Sequence, residues 1–282
     1  NDTAEDAVLK ASSLGLTHVH TAYDYYNLQG VGRGVLKAGD RGEIFVTAMT
    51  SPCIHPAAPP QRNVTDPEAC YNLTKKELYE ALESLGLEYV DLFLLHGPSE
   101  PFGYEGGCDE VVCALNQAQW RAYQDFLRSN LTRAIGVSNY CQSCLSCMMS
   151  DPSTVVNPMV NQIQWHVGMG PDPEGLMSYC EEKHVVVQAY SPLAGGEVVS
   201  DKLCASVGLK YNKTAAEVGL RWVVQQPIGP PALVVKSDSV KYLEQDLGVF
   251  DWALSKTDMD TLNHATEPKG QQDGHPSWGC RR

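Results

Sequence analysis

The chain has 282 residues, 43% of them hydrophobic and 20% charged, which is enough for one large α/β domain around a buried core. Its net charge of -13, with no basic stripe to offset it, argues against a nucleic-acid partner. No stretch approaches the roughly eighteen apolar residues that a membrane-spanning helix needs, so no membrane span is expected.

In chain order, residues 3–14 have a helical pattern closed by Gly15. A strand is predicted over 17–21, a helix over 30–37 closed by Gly39, and a strand over 43–48. Residues 50–73 form a long loop, of the kind that is functional or decorative on such scaffolds. Helix 74–86 follows, with Leu78, Ala81, Leu82 and Leu85 at helical spacing and Thr74 opening a capping box with Glu77. Residues 89–95 read as a continuously apolar, buried parallel strand. A second decorated loop, 97–114, leads to helix 115–129, with Asn130 in the left-handed position after it. Further strands are predicted at 134–137, 159–163, 185–189 and 232–235. Between them lie helices near 142–150, 173–183, 214–225, 239–247 and 257–263, then a polar tail over 267–282. This alternation predicts a parallel sheet wrapped by helices, in one barrel domain over 1–282.

Ten cysteines are many for a chain of this size, and several fall in loops. Cys53 and Cys70 bracket the Pro-rich insertion, Cys108 and Cys113 bracket a short segment, and Cys280 lies in the tail. Disulfides that close such loops persist in an oxidising compartment. Cys141, Cys144 and Cys147 follow at intervals of three, but no second ligand pair with zinc spacing accompanies them. No metal site is expected, and these thiols are expected to bond to other segments or pack inward. Asparagines 1, 63, 72, 130 and 212 each begin an N-x-[ST] sequon, with Asn63 and Asn130 the better candidates. Cysteines and sequons together predict a secreted or secretory-lumen glycoprotein. The chain begins without Met or a signal peptide, which suits a processed or incomplete product.

Five motifs in order carry a resemblance over nearly the whole chain. They are the segment 89–98, which ends in His96-Gly97-Pro98, then Gly136-Val137-Ser138-Asn139-Tyr140, Asn161-Gln162-Ile163-Gln164-Trp165-His166, Ala189-Tyr190-Ser191-Pro192-Leu193, and Val235-Lys236-Ser237. In these motifs the chain resembles the aldo-keto reductases, a family of NADPH-dependent carbonyl reductases. The resemblance implies a (β/α)8 TIM barrel with its site at the C-terminal ends of the strands. Seven barrel strands are predicted here. The family's first strand and N-terminal hairpin are expected to lie in residues that this chain does not include, or to be replaced by a partner segment.

The same resemblance implies a hydride transfer completed by a tyrosine proton, with Tyr25 and His96 as the catalytic pair. It implies that Ser138, Asn139 and Gln162 hold the nicotinamide, that Tyr190 stacks on it beside Ser191 and Leu193, and that Lys236 and Ser237 begin the adenosine-phosphate site. A free phenol has a pKa of about 10, so the family sets a lysine beside it, oriented by an aspartate. Here those positions hold Met49 and His20. Replacing both halves avoids stranding one buried charge, which costs roughly 3–5 kcal/mol. His20 is also a candidate substitute base for Tyr25. Downstream of Lys236 the family places an arginine and an asparagine, where this chain has Tyr242 and Asp246. NADPH binding is therefore expected to be weakened or absent. The reading that follows is a pseudoenzyme, a secreted binding or structural module with impaired carbonyl reduction. Its loops 50–73 and 97–114 would then face a protein partner or an extracellular assembly. The alternative is an active NAD(P)H-dependent oxidoreductase of aldehydes or ketones, with Tyr25 as proton donor.

Overall fold

The computed structural model describes residues 2–55, 62–99, 108–228 and 232–269. They form two compact units, one running to Val160 and the other beginning at Asn161. The sequon at Asn1, the middles of the two long loops (56–61 and 100–107), and Cys280 with the tail from 270 lie outside the described residues.

The first unit alternates strand and helix: α1 (Asp2–Ser13), β1 (His18–His20), α2 (Leu28–Ala38), β2 (Phe45–Thr50), α3 (Pro67–Leu85), then β5 (Val90–Leu95), α4 (Glu110–Arg128), β6 (Thr132–Ser138) and α5 (Gln142–Ser150). Between β2 and α3, β3 (Ile54–His55) and β4 (Arg62–Asn63) form an antiparallel hairpin. The main strands are parallel in the order β1-β2-β5-β6, with Met49 opposite Leu94 and Leu94 opposite Gly136. Every residue of β5 is buried. Leu92 and Leu94 pack with Ala22 and Met49 on one face. On the other, Phe93 meets the ring edges of Tyr123 and Phe126 from α4. Each such side chain contributes about 1.5–3 kcal/mol on burial. Gly136 permits a close approach, because a Cβ there would lie 2.5 Å from the Val160 carbonyl oxygen.

The strand starts are pinned by a buried carboxylate. Asp91 accepts from Arg41, Arg133 and the Val46 amide, while the two guanidinium groups lie over the Tyr89 ring. A buried carboxylate needs such partners, since an unpaired one would neutralise instead.

The structure moves three predicted features, the first being α4, which begins at Glu110 rather than at 115, inside the predicted loop 97–114, because Asp109 caps it by accepting from the Val112 amide. Helix α3 begins at Pro67 rather than at 74, because Asp66 caps it by accepting from the Ala69 amide and Pro67 occupies the first turn. Thr74 is therefore inside the helix and opens no capping box. Its hydroxyl accepts from Gln119, and Glu77 pairs with Arg62. Cys108 and Cys113 do not bond each other but reach α5, as Cys108–Cys144 and Cys113–Cys147. Cys53 and Cys70 do pair, and Cys141 is disulfide-bonded as well. At the end of α4, Asn130 has φ 58°, and the amides of Asn130 and Leu131 cap the Leu127 and Phe126 carbonyls.

The second unit contains β7 (Val160–Gln164, whose first residue belongs to the first unit), α6 (Leu176–Glu182), β8 (Val186–Tyr190), α7 (Lys202–Gly208), α8 (Ala215–Val224), β9 (Ala232–Leu233), α9 (Val240–Leu247) and α10 (Lys256–Asn263). β8 and β9 pair in parallel, with Ala189 opposite Leu233. Helix α8 opens on a capping box between Thr214 and Glu217. Trp165 and Trp222 meet at 5.4 Å, and the Trp222 indole donates to Asn263, tying α8 to α10. Among the described residues no helix is long and apolar enough to cross a membrane.

Candidate active site

His20 is the last residue of β1, and after Thr21 and Ala22 comes the 3-10 turn Tyr23–Tyr25. The turn ends on Tyr26 in the left-handed region (φ 53°), which leaves Tyr25 with 48% of its surface exposed. His96 stands directly after β5. Its amide donates to the Thr50 carbonyl, and its own carbonyl accepts from the Asn139 side chain at 2.9 Å. Tyr25 and His96 therefore meet edge to face, with ring centroids 5.6 Å apart. His20 lies farther from Tyr25, at 6.4 Å. Met49 is fully buried in β2 among Ala22, Leu92 and Leu94.

Burial dominates the electrostatics of the first unit's site. It pushes His20 down to about 3, helped by the neighbouring His18 and His96, so His20 is neutral at physiological pH. A ring held neutral by burial is a weak base near neutrality, which works against its serving as the substitute base for Tyr25. Burial and then the Asp24 carboxylate push the Tyr25 phenol up. The hydroxyl thus sits in a field that opposes its ionisation.

Asp24 is a functional candidate that sequence reasoning missed, although it directly precedes Tyr25. One carboxylate oxygen accepts from the buried Ser51 hydroxyl. The other lies 3.4 Å from His96 Nδ1, with side-chain exposures of 16% and 24% for Asp24 and His96. That distance is an ion-pair contact without hydrogen-bond alignment, and neither atom has a hydrogen-bonded partner among the described residues. Burial works against the Asp24 charge, yet His96, Ser51 and Arg62 outweigh it and hold the carboxyl below its ordinary range. His55, on β3, is a further basic group influenced by Asp24.

The residues expected to hold a dinucleotide divide between the units. Ser138 closes β6, and Asn139 follows at φ 62° with its amide turned to His96 and Ser138. In the second unit Gln162 is buried and donates to Gln188. Tyr190 ends β8, with its carbonyl accepting from the Trp165 amide. Ser191 has φ 47°, Leu193 is half-buried, Lys236 is exposed, and Ser237 accepts from the Ser239 amide. Hydroxyls and side-chain amides at strand ends are a donor and acceptor set that suits a carboxamide. The phosphate end is poorer. Tyr242 is exposed, and Asp246 is pushed up to about 6 by burial and Glu217. Neither residue supplies a cation for a phosphate there.

Cys144 and Cys147 are disulfide-bonded to Cys108 and Cys113, and Cys141 is also disulfide-bonded, so these sulfurs are not open ligands. Among the described residues no group of three His, Cys, Asp or Glu side chains could hold a metal ion.

A family model described as "Aldo/keto reductase family" matches residues 1–267. An aldo-keto reductase of Mycobacterium tuberculosis is 34% identical over 263 residues, covering 93% of this chain and 82% of that protein. A Bacillus subtilis protein named glyoxal reductase is 29% identical, covering 92% of this chain and 82% of its own length. Among solved structures, an aldo/keto reductase from Brucella melitensis superposes with a TM-score of 0.75 at 27% identity, over 93% of this chain and 90% of that one.

Proposed function

Because the chain belongs to the aldo/keto reductase family, with its (β/α)8 barrel-like fold, we propose that it is an NAD(P)H-dependent oxidoreductase of aldehydes or ketones. The observation that carries this reading is the contact of Tyr25 with His96 at the strand ends. The relatives named as reductases support it, and the relative named glyoxal reductase makes small dicarbonyls sensible first substrates.

A bound reduced nicotinamide supplies a hydride to the carbonyl carbon. In this reading the candidate nicotinamide contacts are Ser138 and Asn139 in the first unit and, taken separately, Gln162, Tyr190, Ser191 and Leu193 in the second. Lys236 and Ser237 take the adenosine-side phosphate weakly, as Tyr242 and Asp246 add no cation. The Tyr25 hydroxyl gives its proton to the carbonyl oxygen, and His96 polarises that oxygen by hydrogen bonding. With Met49 in place of an ammonium, the phenol is poorly activated and turnover is slow. Incubating the protein with NADPH and a panel of aldehydes tests this. Carbonyl-dependent NADPH oxidation that is lost in Tyr25→Phe supports it, and no oxidation with any carbonyl overturns it.

A second reading, the pseudoenzyme, is favoured by the fully buried thioether of Met49 and the neutral His20. The barrel would then be a binding or structural module for a protein partner. Fluorescence titration with NADPH separates the readings further, since retained cofactor binding is required only by the first. For either, a secretory compartment is supported by the disulfides Cys53–Cys70, Cys108–Cys144 and Cys113–Cys147, and by the exposed sequon asparagines Asn63 and Asn130.

A further inference from the structure

The lost ion pair leaves Tyr25 without its usual source of charge and proton exchange, but the same turn brings another carboxylate to the other retained catalytic side chain. Asp24 Oδ2 and His96 Nδ1 are both buried, have no hydrogen-bonded partner among the described residues, and face each other at 3.4 Å. Two such atoms in that relation are a donor and acceptor awaiting a small rotation, since a buried polar atom left unsatisfied is costly. Asp24 is held from behind by Ser51. The Ser51 carbonyl in turn accepts from the buried Gln119 side chain. His96 is held by backbone bonds on both sides, through Thr50 and Asn139. Neither partner is a loosely placed surface group.

We propose that Asp24 is a positioning residue for His96, accepting from its Nδ1–H and so leaving Nε2 to exchange a proton with Tyr25. An imidazole whose Nδ1–H is taken by a carboxylate has its tautomer fixed, and its cation is stabilised when it forms. The assignment deepens the reductase reading and rests on it for its catalytic meaning. A reduced nicotinamide, when bound, would supply the hydride for the new C–H bond, and the carbonyl π electrons would move to oxygen. That oxygen, to which the imidazolium Nε2–H donates, takes the Tyr25 Oη proton, and the Nε2 proton then passes to the phenolate to restore it. His96 is left as the neutral Nδ1–H tautomer on Asp24 and regains its proton from solvent. In alcohol oxidation the same protons run in reverse. Other charged groups bear on the pair: Arg62 from β4 favours the Asp24 carboxylate, and His55 from β3 and His20 from β1 share its surroundings.

The test combines nitrogen-15 NMR of the histidine side chains with steady-state kinetics on the full chain. The His96 signal is assigned by its loss in H96N. In the unmodified protein at alkaline pH, His96 is expected as the Nδ1–H tautomer, and D24N should abolish that signature. D24N should also lower kcat for a carbonyl substrate by about a hundredfold with KM within about twofold, and D24E should recover part of it. An Nε2–H tautomer in the unmodified protein overturns the assignment without needing any variant to fold. So does an unchanged tautomer in a folded D24N. If the Nδ1–H signature is present and lost in D24N but no carbonyl is reduced, the Asp24–His96 pairing stands and the reductase reading fails.

Discussion

Met49 is fully buried in an apolar cluster with Ala22, Leu92 and Leu94, so a lysine placed there alone would be a buried cation with no counter-charge in that cluster. Met49→Lys should destabilise the protein by roughly 3–5 kcal/mol in urea denaturation. Pairing it with His20→Asp should recover most of that loss and raise kcat for carbonyl reduction by tenfold or more, about 1.4 kcal/mol of barrier. A double variant no more stable than Met49→Lys would show that the two positions do not face each other as an ion pair would require. His20 also sets an acid limit. Its folded value of about 3 lies below the ordinary 6.5. Between the two, the unfolded chain binds a proton that the folded chain refuses, so stability falls as pH drops through that window. From about pH 7 to about pH 4.5 this linkage removes about 2.5 kcal/mol. His20→Gln should lose less stability over the same interval, by about that amount. An identical pH dependence in the variant would mean that His20 is not held neutral.

The α4–α5 pair shows what single elements could and could not reveal. The thiols of Cys108 and Cys113, near the start of α4, reach Cys144 and Cys147 on α5, closing overlapping loops with separations of 36 and 34 residues. Loop entropy gives about 3–4 kcal/mol for one such bridge, but the second then closes only a short loop and adds less. Replacing Cys113 and Cys147 by alanine should therefore cost under about 3 kcal/mol, and removing both bridges together more than twice the single loss. A double loss no larger than the single one in guanidinium titrations would contradict this. The predicted bounds of α5 match the structure, and each predicted barrel strand is present within a few residues, because apolar runs and helix periodicity are local signals. The hairpin of β3 and β4 was not legible. Its strands have two residues each, and it is held by the Cys53–Cys70 bridge and by Arg62 against Glu77, contacts distant in sequence. Helix α7 was missed for its shortness, although Asp201 caps it by accepting from the Cys204 amide. At the site, Tyr25 and His96 were legible through their fixed places in motifs. The approach of Asp24 to His96 was not, because it depends on the parallel pairing of β1, β2 and β5 and leaves no spacing in the sequence.

At the scale of the whole molecule, the chain belongs to the aldo/keto reductase family and has its barrel-like fold, and under the proposed reading His20 and Met49 set how well it works. The compartment reading has its own check. Intact mass before and after glycosidase and reductant should reveal sugar on Asn63 or Asn130 and disulfides at the paired cysteines, and an unmodified, fully reduced chain would contradict it. The central question is whether Tyr25 and His96 still finish a reduction without the ammonium. The most direct measurement is NADPH oxidation on addition of a small aldehyde, comparing the unmodified protein with Tyr25→Phe. The account predicts slow, aldehyde-dependent oxidation that falls at least about a hundredfold in the variant. No oxidation above the aldehyde-free rate, or a rate that Tyr25→Phe leaves unchanged, would contradict it.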